Sequence, residues 1–295
     1  MTVLISAILP IALVALVGFA IGRTFELDMQ TLARVNIYGM VPALILQSLA
    51  ETTLSLNSAI ALVIAFLINT SVLYLLVIGL GQILKISQEH QKSLIATTLF
   101  ANVGNMGLPF VLFSLGEAGL ARAVVYLVGS SLMIATVFPI VLKGAGVGAG
   151  IRLTLKLPVL WAALVGLGGQ IIGLAFPLSI SRGIALLGDG AIPLALLTLG
   201  IQLSRTPLVF GRYELFGAGL RLIISPLLAY GCGQMMGLEA LDLQVSVLQA
   251  AMPVAVNSLI WVTELGGDRD RVARTIVLST FLSLITLPIV LWLVR

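Results

Sequence analysis

The segment LPIALVALVG at residues 9–18 recurs 148 residues later as LPVLWAALVG at 157–166, with six of ten positions identical. A second segment, SSLMIATVFPIVL at 130–142, recurs after 149 residues as STFLSLITLPIVL at 279–291. Two shorter matches keep the same order and nearly the same spacing: GLGQ at 79–82 with GCGQ at 231–234, and Pro42 with Pro193. One match can arise by chance in an apolar sequence, but four in order indicate two copies of one unit.

The composition indicates the environment in which these copies fold. Of 295 residues, 59% are hydrophobic and 9% are charged, whereas charged residues make up about 25% of soluble domains. Polar side chains are therefore too few to cover a water-soluble surface. Disordered and disulfide-rich classes are excluded as well, because Leu, Ile and Val are abundant and Cys232 is the sole cysteine. An all-α integral membrane protein is the class that remains.

Apolar stretches long enough to cross a bilayer can be counted along the chain. A crossing helix needs roughly 20 apolar residues, since the hydrocarbon layer is about 30 Å thick and each residue rises about 1.5 Å. Ten such spans are predicted, at approximately 3–22, 31–50, 57–84, 92–115, 119–142, 153–175, 180–203, 214–236, 241–262 and 271–294. The first copy then covers 1–143 and the second 151–295, with a short glycine-rich linker at 144–150.

The number of spans in each copy has a consequence for their orientation. Because five is odd, the second copy enters the membrane with the opposite polarity to the first. Inverted repeats of this kind are typical of secondary transporters that work by alternating access around a central site. A duplicated structural membrane protein is the alternative reading of the same repeat.

Lys and Arg are distributed unevenly between the two faces of the predicted bundle. Twelve lie in or beside the loops after spans 1, 3, 5, 7 and 9, and three, Arg122, Arg182 and Arg295, lie on the opposite face. Positive residues stay on the cytoplasmic side, so both termini are predicted to face outward from the plasma (inner) membrane. Residues 1–22 contain no Lys or Arg, which favours a membrane helix over a signal peptide. The net charge of +4 thus reflects topology and gives no indication of nucleic-acid binding.

The fourth span contains FANVGNMGLPF at residues 100–110, the most polar stretch within any span. Pro109 lacks an amide N–H and clashes with the carbonyl four residues earlier, and neighbouring glycines lower the cost of unwinding. In a regular helix, Asn102, Asn105, Met106 and Pro109 share one face. A broken membrane helix is tolerated only where its backbone is buried in protein or lines a cavity, so this face is a candidate binding surface.

The ninth span contains a counterpart, QAAMPVAVNS at residues 249–258. Pro253 frees the carbonyl of Gln249, and Asn257 lies one turn further on. If both spans break, their second halves are expected to begin near Pro109 and Pro253, because proline suits the first turn of a helix. Two half-helix N-termini then meet near the membrane midplane and offer unpaired N–H groups to a carboxylate. Simple kinks at these prolines are the alternative.

Other polar residues within the spans are candidates for accessory roles. Arg221 is the one basic residue well inside a span, and either a functional charge or snorkelling to the interface explains it. Asp189 and Glu264 are candidate proton sites or helix-end charges. Polar residues that can line a site are Asn69, the repeat mate of Arg221, and Asn36, Ser130, Ser131, Ser279 and Thr280. Hydroxyls in membrane helices more often bond to a carbonyl of the preceding turn.

The rival function class is an intramembrane enzyme. His90, the sole histidine, is predicted to lie in a loop, which argues against His-based metal sites and Ser–His relays inside the membrane. GxSxG, HExxH and phosphate-binding GxxxxGK[ST] motifs are missing from the sequence. No catalytic residue, metal site or cofactor is therefore predicted. A channel requires a polar file along several helices, whereas the sequence has one local cluster.

Several motifs resemble those of the auxin efflux carrier family, within the bile acid/arsenite/riboflavin transporter superfamily. They are NxGNxGLP at residues 102–109, LGEAGLARA at 115–123, LGDGAIPLALLTLGIQL at 187–203, MPVAVNSLIWVTELGGD at 252–268 and LSTFLSLITLP at 278–288. The resemblance covers essentially the whole chain. It implies ten helices in two inverted five-helix repeats, with helices 4 and 9 crossing at prolines and helices 1, 2, 6 and 7 forming a scaffold that can form a homodimer.

The resemblance also implies a function and maps binding residues onto Asn102, Asn105, Pro109 and Pro253. Members export or exchange small organic anions such as malate, malonate or indole-type carboxylates. The long regulatory loop of plant members is replaced here by a short linker, so a microbial metabolite is expected rather than auxin. A sodium-coupled symporter of the bile-acid-transporter type is the alternative, and proton or sodium coupling stays open.

Overall fold

The structure, a computed structural model, describes residues 2–51, 54–143, 147–173 and 176–295. Within these ranges the regular structure is helical throughout, apart from one backbone bridge at the candidate site. Some side chains inside the described helices are also left out of the description, including that of Glu264. The predicted linker at 144–150 is described from Val147 onward.

Up to Lys143 the described residues form six α-helices. They are α1 (Thr2–Thr24), α2 (Met29–Val35), α3 (Val41–Glu51), α4 (Leu56–Ile83), α5 (Gln88–Leu99) and α6 (Leu108–Lys143). Two π-helical turns, Asn36–Met40 and Val103–Gly107, lie directly before α3 and α6. At Gly116 the backbone of α6 has φ 70° and ψ −167°, a conformation that glycine adopts without a Cβ clash. This kink separates the predicted fourth and fifth spans.

The remaining described residues form nine further helices. They are α7 (Val147–Leu155), α8 (Pro158–Ile172), α9 (Leu178–Asp189), α10 (Ala191–Arg205), α11 (Arg212–Gly219), α12 (Ser225–Met235), α13 (Ala240–Ala250), α14 (Ser258–Leu265) and α15 (Arg269–Val294). A π-helical turn, Leu220–Ile224, joins α11 to α12. The predicted sixth span, 153–175, is bent by 66° between α7 and α8, because proline at position 158 holds Leu157 in an extended conformation.

The three π-helical turns share one sequence cause. Each is followed by an α-helix whose second residue is a proline: Pro42 in α3, Pro109 in α6 and Pro226 in α12. Proline lacks an N–H and its ring clashes with the carbonyl four residues earlier, so the preceding turn widens. Such turns are frequent at functional sites, and each of these contains a residue that the sequence singled out: Asn36, Asn105 or Arg221.

Several helix starts follow directly from capping side chains. Asp28, Ser55, Ser87 and Asp268 each accept a hydrogen bond from a backbone N–H in the first turn of the helix that follows. Ser87 Oγ accepts from the N–H of His90 at 3.4 Å. The prediction that His90 lies in a loop is therefore wrong, because this cap places it in the first turn of α5.

The outer surface of the bundle is apolar. Large side chains such as Leu75, Leu186 and Trp292 are 67%, 79% and 71% exposed. By length and composition, six helices in the described ranges are able to cross a bilayer, or seven if the bent pair α7 and α8 forms one span. Hydrocarbon solvates such a surface, whereas water does not. The chain is an all-helical integral membrane protein.

The helices pack in two groups that meet along α6. In the first group, α1 packs on α10, and α3 packs on α8 and α9. In the second, α4 packs on α5 and α12, while α15 packs on α5, α11 and α13. α6 contacts α1, α3 and α8 on one side and α4 and α13 on the other.

Glycines allow α1 and α10 to approach backbone to backbone. A Cβ added to Gly200 would lie 2.7 Å from the backbone nitrogen of Phe19 and closer still to the carbonyl oxygen of Ala15. A Cβ added to Gly18 would meet the backbone of Leu197, with the Cα atom at 2.8 Å. Small residues at a membrane helix interface let the two helices gain van der Waals contact over their length.

We expect Gly200→Val to destabilise the protein, because the new side chain must displace the α1 backbone rather than a flexible side chain. Gly168→Val in α8 is the matched control, since a Cβ there meets nothing within 4 Å. The melting temperature (Tm) of each purified variant in detergent measures the difference. A Tm for Gly200→Val equal to that of Gly168→Val would show that the close approach contributes nothing to stability.

Candidate functional site

Two helices are interrupted at the same place in the molecule. α5 ends at Leu99, and α13 ends at Ala250. Beyond these ends the two following segments of the chain pair as a short antiparallel bridge between Ala101 and Val254. Each break thus supplies hydrogen-bond partners for the other, which is how irregular backbone is tolerated at membrane depth.

Two backbone hydrogen bonds form the bridge. The N–H of Asn102 donates to the carbonyl of Pro253 at 2.8 Å, and the N–H of Ala255 donates to the carbonyl of Phe100 at 2.8 Å. The N–H of Val254 donates to Ser279 Oγ at 3.1 Å, which fixes the bridge to α15. The hydroxyl of Ser279 in turn donates to the Ile276 carbonyl. Ser279, which the sequence suggested as a site-lining residue, is therefore a buried residue that holds the bridge in place.

The second halves of the interrupted helices begin differently from one another. Pro109 is the second residue of α6, as proline's preference for the first turn predicts. The expectation that the other second half begins near Pro253 is wrong: Pro253 belongs to the bridge, and α14 begins at Ser258. The reason is that pairing with Asn102 holds the backbone at Pro253 out of the helix.

The region where the two interrupted helices pair, around Ala101 and Val254, is the crossing. Arg221 lies next to it and contacts both interrupted helices. Its side chain is only 3% exposed. Nη1 donates to the carbonyl of Thr98 in α5 at 2.8 Å, and Nε donates to the carbonyl of Met252 at 3.1 Å. Nη2 donates to the carbonyl of Ala250, the last residue of α13. Snorkelling to the interface is therefore wrong for Arg221, because its guanidinium is held at two helix ends.

These contacts provide hydrogen-bond donors for carbonyls at the C-terminal ends of α5 and α13. The last carbonyls of a helix have no partner within the helix and carry a partial negative charge. A buried unpaired carbonyl costs about 1–3 kcal/mol. A guanidinium has five N–H donors in a planar fork, so one side chain can serve several carbonyls at once. In this protein the fork joins the C-terminal ends of α5 and α13.

Two of the predicted amide side chains are buried at the crossing. Asn102 is 4% exposed and Gln249 is fully buried. Within the part of the chain that the structure describes, neither Asn102 Nδ2 nor either polar side-chain atom of Gln249 has a hydrogen-bond partner. Gln249 packs on Gly107, where any Cβ would collide with its amide. Buried polar groups without partners are rare and point to a role beyond packing.

The other two predicted amides are accessible. Asn105 lies in the π-helical turn before α6 and is partly exposed. Asn257 directly precedes α14 and is exposed. They are separated by 152 residues, the same spacing that relates Asn69 to Arg221. Positions that the repeat spacing predicts to be equivalent therefore hold an amide near the start of each second half-helix.

A small cavity adjoins Arg221 and the first break. Its polar lining residues are Asn69, Thr70, Tyr126, Ser130 and Arg221. Asn69 is 3% exposed, and its Oδ1 has no partner among the described residues. Asn69 and Arg221, which the repeat spacing predicts to be equivalent, thus line one cavity.

The remaining candidates have structural partners or lie elsewhere. Ser130, Ser131 and Thr280 donate to carbonyls of their own helices, as predicted for membrane hydroxyls. Met106 is buried, with its sulfur 3.8 Å from Ser283 Oγ. Asn36 is buried at the start of the first π-helical turn, and Asp189 is the exposed last residue of α9.

Sequence reasoning missed the groups that hold the crossing together. The acceptors for Arg221 are backbone carbonyls of Thr98, Ala250 and Met252, which every residue type provides. It also counted Arg122 only as a charge on the outer face, whereas Nε of Arg122 lies 2.5 Å from Oδ1 of the buried Asp242 and ties α6 to α13. The presence of an Arg inside a span was the available signal for the first of these.

We expect Ser279→Ala to lower the free energy of unfolding by about 1–3 kcal/mol, because the buried N–H of Val254 loses its acceptor. The matched control is Ser131→Ala, since its hydroxyl donates to the Leu127 carbonyl of its own helix. Tm values in detergent compare the two variants. If both substitutions have the same small effect, the bridge does not depend on the hydrogen bond between Val254 and Ser279.

The sequence is similar to a family model and to several known proteins. The family model described as "Membrane transport protein" matches residues 3–150 and 148–291. An "Uncharacterized transporter" of Methanothermobacter thermautotrophicus is 32% identical, over 96% of this chain and 95% of the relative. A Rhizobium meliloti protein named "Putative malonate transporter" is 23% identical, over 98% of this chain and 95% of its own length. "Auxin efflux carrier component 1" of Arabidopsis thaliana is 24% identical over 48% of this chain and 23% of its own. The chain therefore belongs to the membrane transport protein family that includes the auxin efflux carriers.

Proposed function

We propose that this membrane transporter is a secondary transporter of a small carboxylate, which binds where the interrupted helices cross. The observation that carries the proposal is the antiparallel bridge between Ala101 and Val254. It brings the start of two half-helices to one place: the π-helical turn begins two residues after Ala101, and α14 begins four residues after Val254. Half-helix N-termini at a crossing of this kind bind anionic substrate groups in transporters.

The chemistry of the crossing favours an anion over a neutral or cationic substrate. The C-terminal carbonyls, which would attract a cation, are already bonded to Arg221. The N-terminal ends offer N–H donors and a partial positive charge. We assign Asn105 and Asn257 as the accessible amide donors to the carboxylate, with Asn102 and Gln249 behind them. Arg221 adds attraction through its charge, without direct contact.

A carboxylate also agrees with the relatives. One relative that covers the whole chain has malonate in its name, and shorter matches are named as auxin efflux carriers. Both names refer to carboxylic acids.

We further propose ten membrane crossings arranged as two inverted five-helix repeats, with both termini outside. Seven of these crossings are the six spans long and apolar enough by themselves and the bent pair α7 and α8. The others are α1, the pair formed by α5 with the start of α6, and the pair formed by α13 with α14. The last two pairs are too short individually because of their breaks, and each pair together has the length of a span.

Alternating access then follows from the two packing groups. The group containing α1, α3, α8, α9 and α10 serves as a scaffold, and the group containing the crossing moves against it. Exposed apolar side chains of α8, such as Trp161 and Leu164 at 53% and 54%, give the scaffold a surface for a second copy. Movement of one helix group against another is the usual form of alternating access.

We expect Asn105→Ala to abolish uptake of a radiolabelled carboxylate, such as malonate, by proteoliposomes while the Tm in detergent stays near that of the wild type. The amide is partly exposed, so its loss removes a ligand donor without opening a cavity. Asn57→Ala is the matched control, because Asn57 is exposed at the start of α4. Unimpaired uptake by Asn105→Ala would contradict the assignment of this amide, and absence of uptake by the wild type across a panel of carboxylates would contradict the function.

A further inference from the structure

The groups bonded to Arg221 are of the kind that binds a small cation. Three backbone carbonyls, of Thr98, Ala250 and Met252, point at one guanidinium. In transporters with broken helices, unwound carbonyls and half-helix C-terminal ends are the ligands of coupling cations such as Na⁺. Carbonyl oxygens arranged around an ion can replace its hydration shell. In this chain the position is filled by a side chain.

The balance of charge around Arg221 supports the same interpretation. Among the residues described, Arg221 forms no ion pair with a carboxylate. Its positive charge is therefore compensated by the carbonyl dipoles at the ends of α5 and α13. Moving the guanidinium out of water costs free energy, and its hydrogen bonds to these carbonyls offset that cost.

The repeat provides a second, independent observation. Position 69 in the first copy corresponds to position 221 in the second, and it holds an uncharged asparagine. Both Asn69 and Arg221 line the same cavity, and Asn69 Oδ1 has no partner within the described ranges. One cation thus serves the C-terminal ends of both interrupted helices, and the second copy alone supplies it.

We propose that Arg221 is a tethered cation that occupies a carbonyl cage otherwise suited to a free cation, so that the transporter works without Na⁺. The statement about coupling rests on the proposed transport function. The statement about the cage does not, because it concerns the folded protein alone. Removal of the side chain must then create a site for a small cation, and guanidinium, which has the shape of the missing group, is the probe of choice.

The first experiment measures Tm in detergent and choline chloride, with and without low-millimolar guanidinium chloride. Arg221→Gly is expected to lower Tm by roughly 5–10 °C, because buried carbonyls lose their donors. Guanidinium is expected to restore at least half of that loss. It should leave unchanged the wild type and the matched control Arg212→Gly, an exposed arginine at the start of the same span. An undiminished Tm, or no selective recovery with guanidinium, overturns the cage.

A second pair of variants decides the question even if Arg221→Gly does not fold. Arg221→Lys keeps the positive charge with fewer donors, and Arg221→Gln keeps an amide donor without the charge. The expected order of Tm is wild type, then Lys, then Gln. If Gln is as stable as Lys or more so, the position does not require a cation and the proposal is wrong.

The coupling statement is tested separately with wild-type proteoliposomes. Carboxylate uptake is expected to be the same in sodium and in choline media, since the cation is part of the chain. Uptake that requires Na⁺ overturns this part of the proposal. If no carboxylate is taken up in either medium, the proposed function fails, while the Tm measurements still decide whether Arg221 fills a cation cage.

Discussion

The fold depends on how the chain satisfies two broken helices inside a membrane. Lipid offers no hydrogen bonds, so every carbonyl and N–H freed by a break must find a partner within the protein. Here the two extended segments pair with each other at Ala101 and Val254, and Ser279 bonds to the remaining N–H of Val254. The carbonyls at the ends of α5 and α13 bond to Arg221. Without these partners, buried polar groups of the backbone would be unpaired at the crossing, at a cost in stability.

The same arrangement gives the crossing its electrostatic character. A broken helix has both a positive and a negative end at the break, and the two ends oppose each other. Because the guanidinium of Arg221 compensates the negative ends of two helices, the positive ends of α6 and α14 are left to act on a ligand. Amides at Asn105 and Asn257 add uncharged donors at these positive ends. The buried arginine and the positive helix ends at the crossing therefore have one cause, which is the break in each helix.

Much of this fold could be predicted from the sequence, because bilayer length and proline chemistry act locally. The predicted spans agree with the bounds of α4, of α11 together with α12, and of α15, because these bounds follow from apolar length. The breaks before Pro109 and around Pro253 follow from missing N–H groups. The start of α14 at Ser258 does not, since it depends on pairing with a segment about 150 residues away. The partners of Arg221 could not be predicted either, because they are backbone carbonyls that carry no sequence signal. The packing of Gln249 on Gly107 likewise depends on tertiary contact.

The most direct test of the central claim is hydrogen–deuterium exchange across the crossing, with and without a saturating carboxylate that the protein transports. Bound anion should occupy the N–H groups at residues 103–105 and 256–257 together, although the two segments are distant in sequence. The account predicts slower exchange in both segments on addition of the anion. Slower exchange confined to other helices, with both of these segments unchanged, would contradict it.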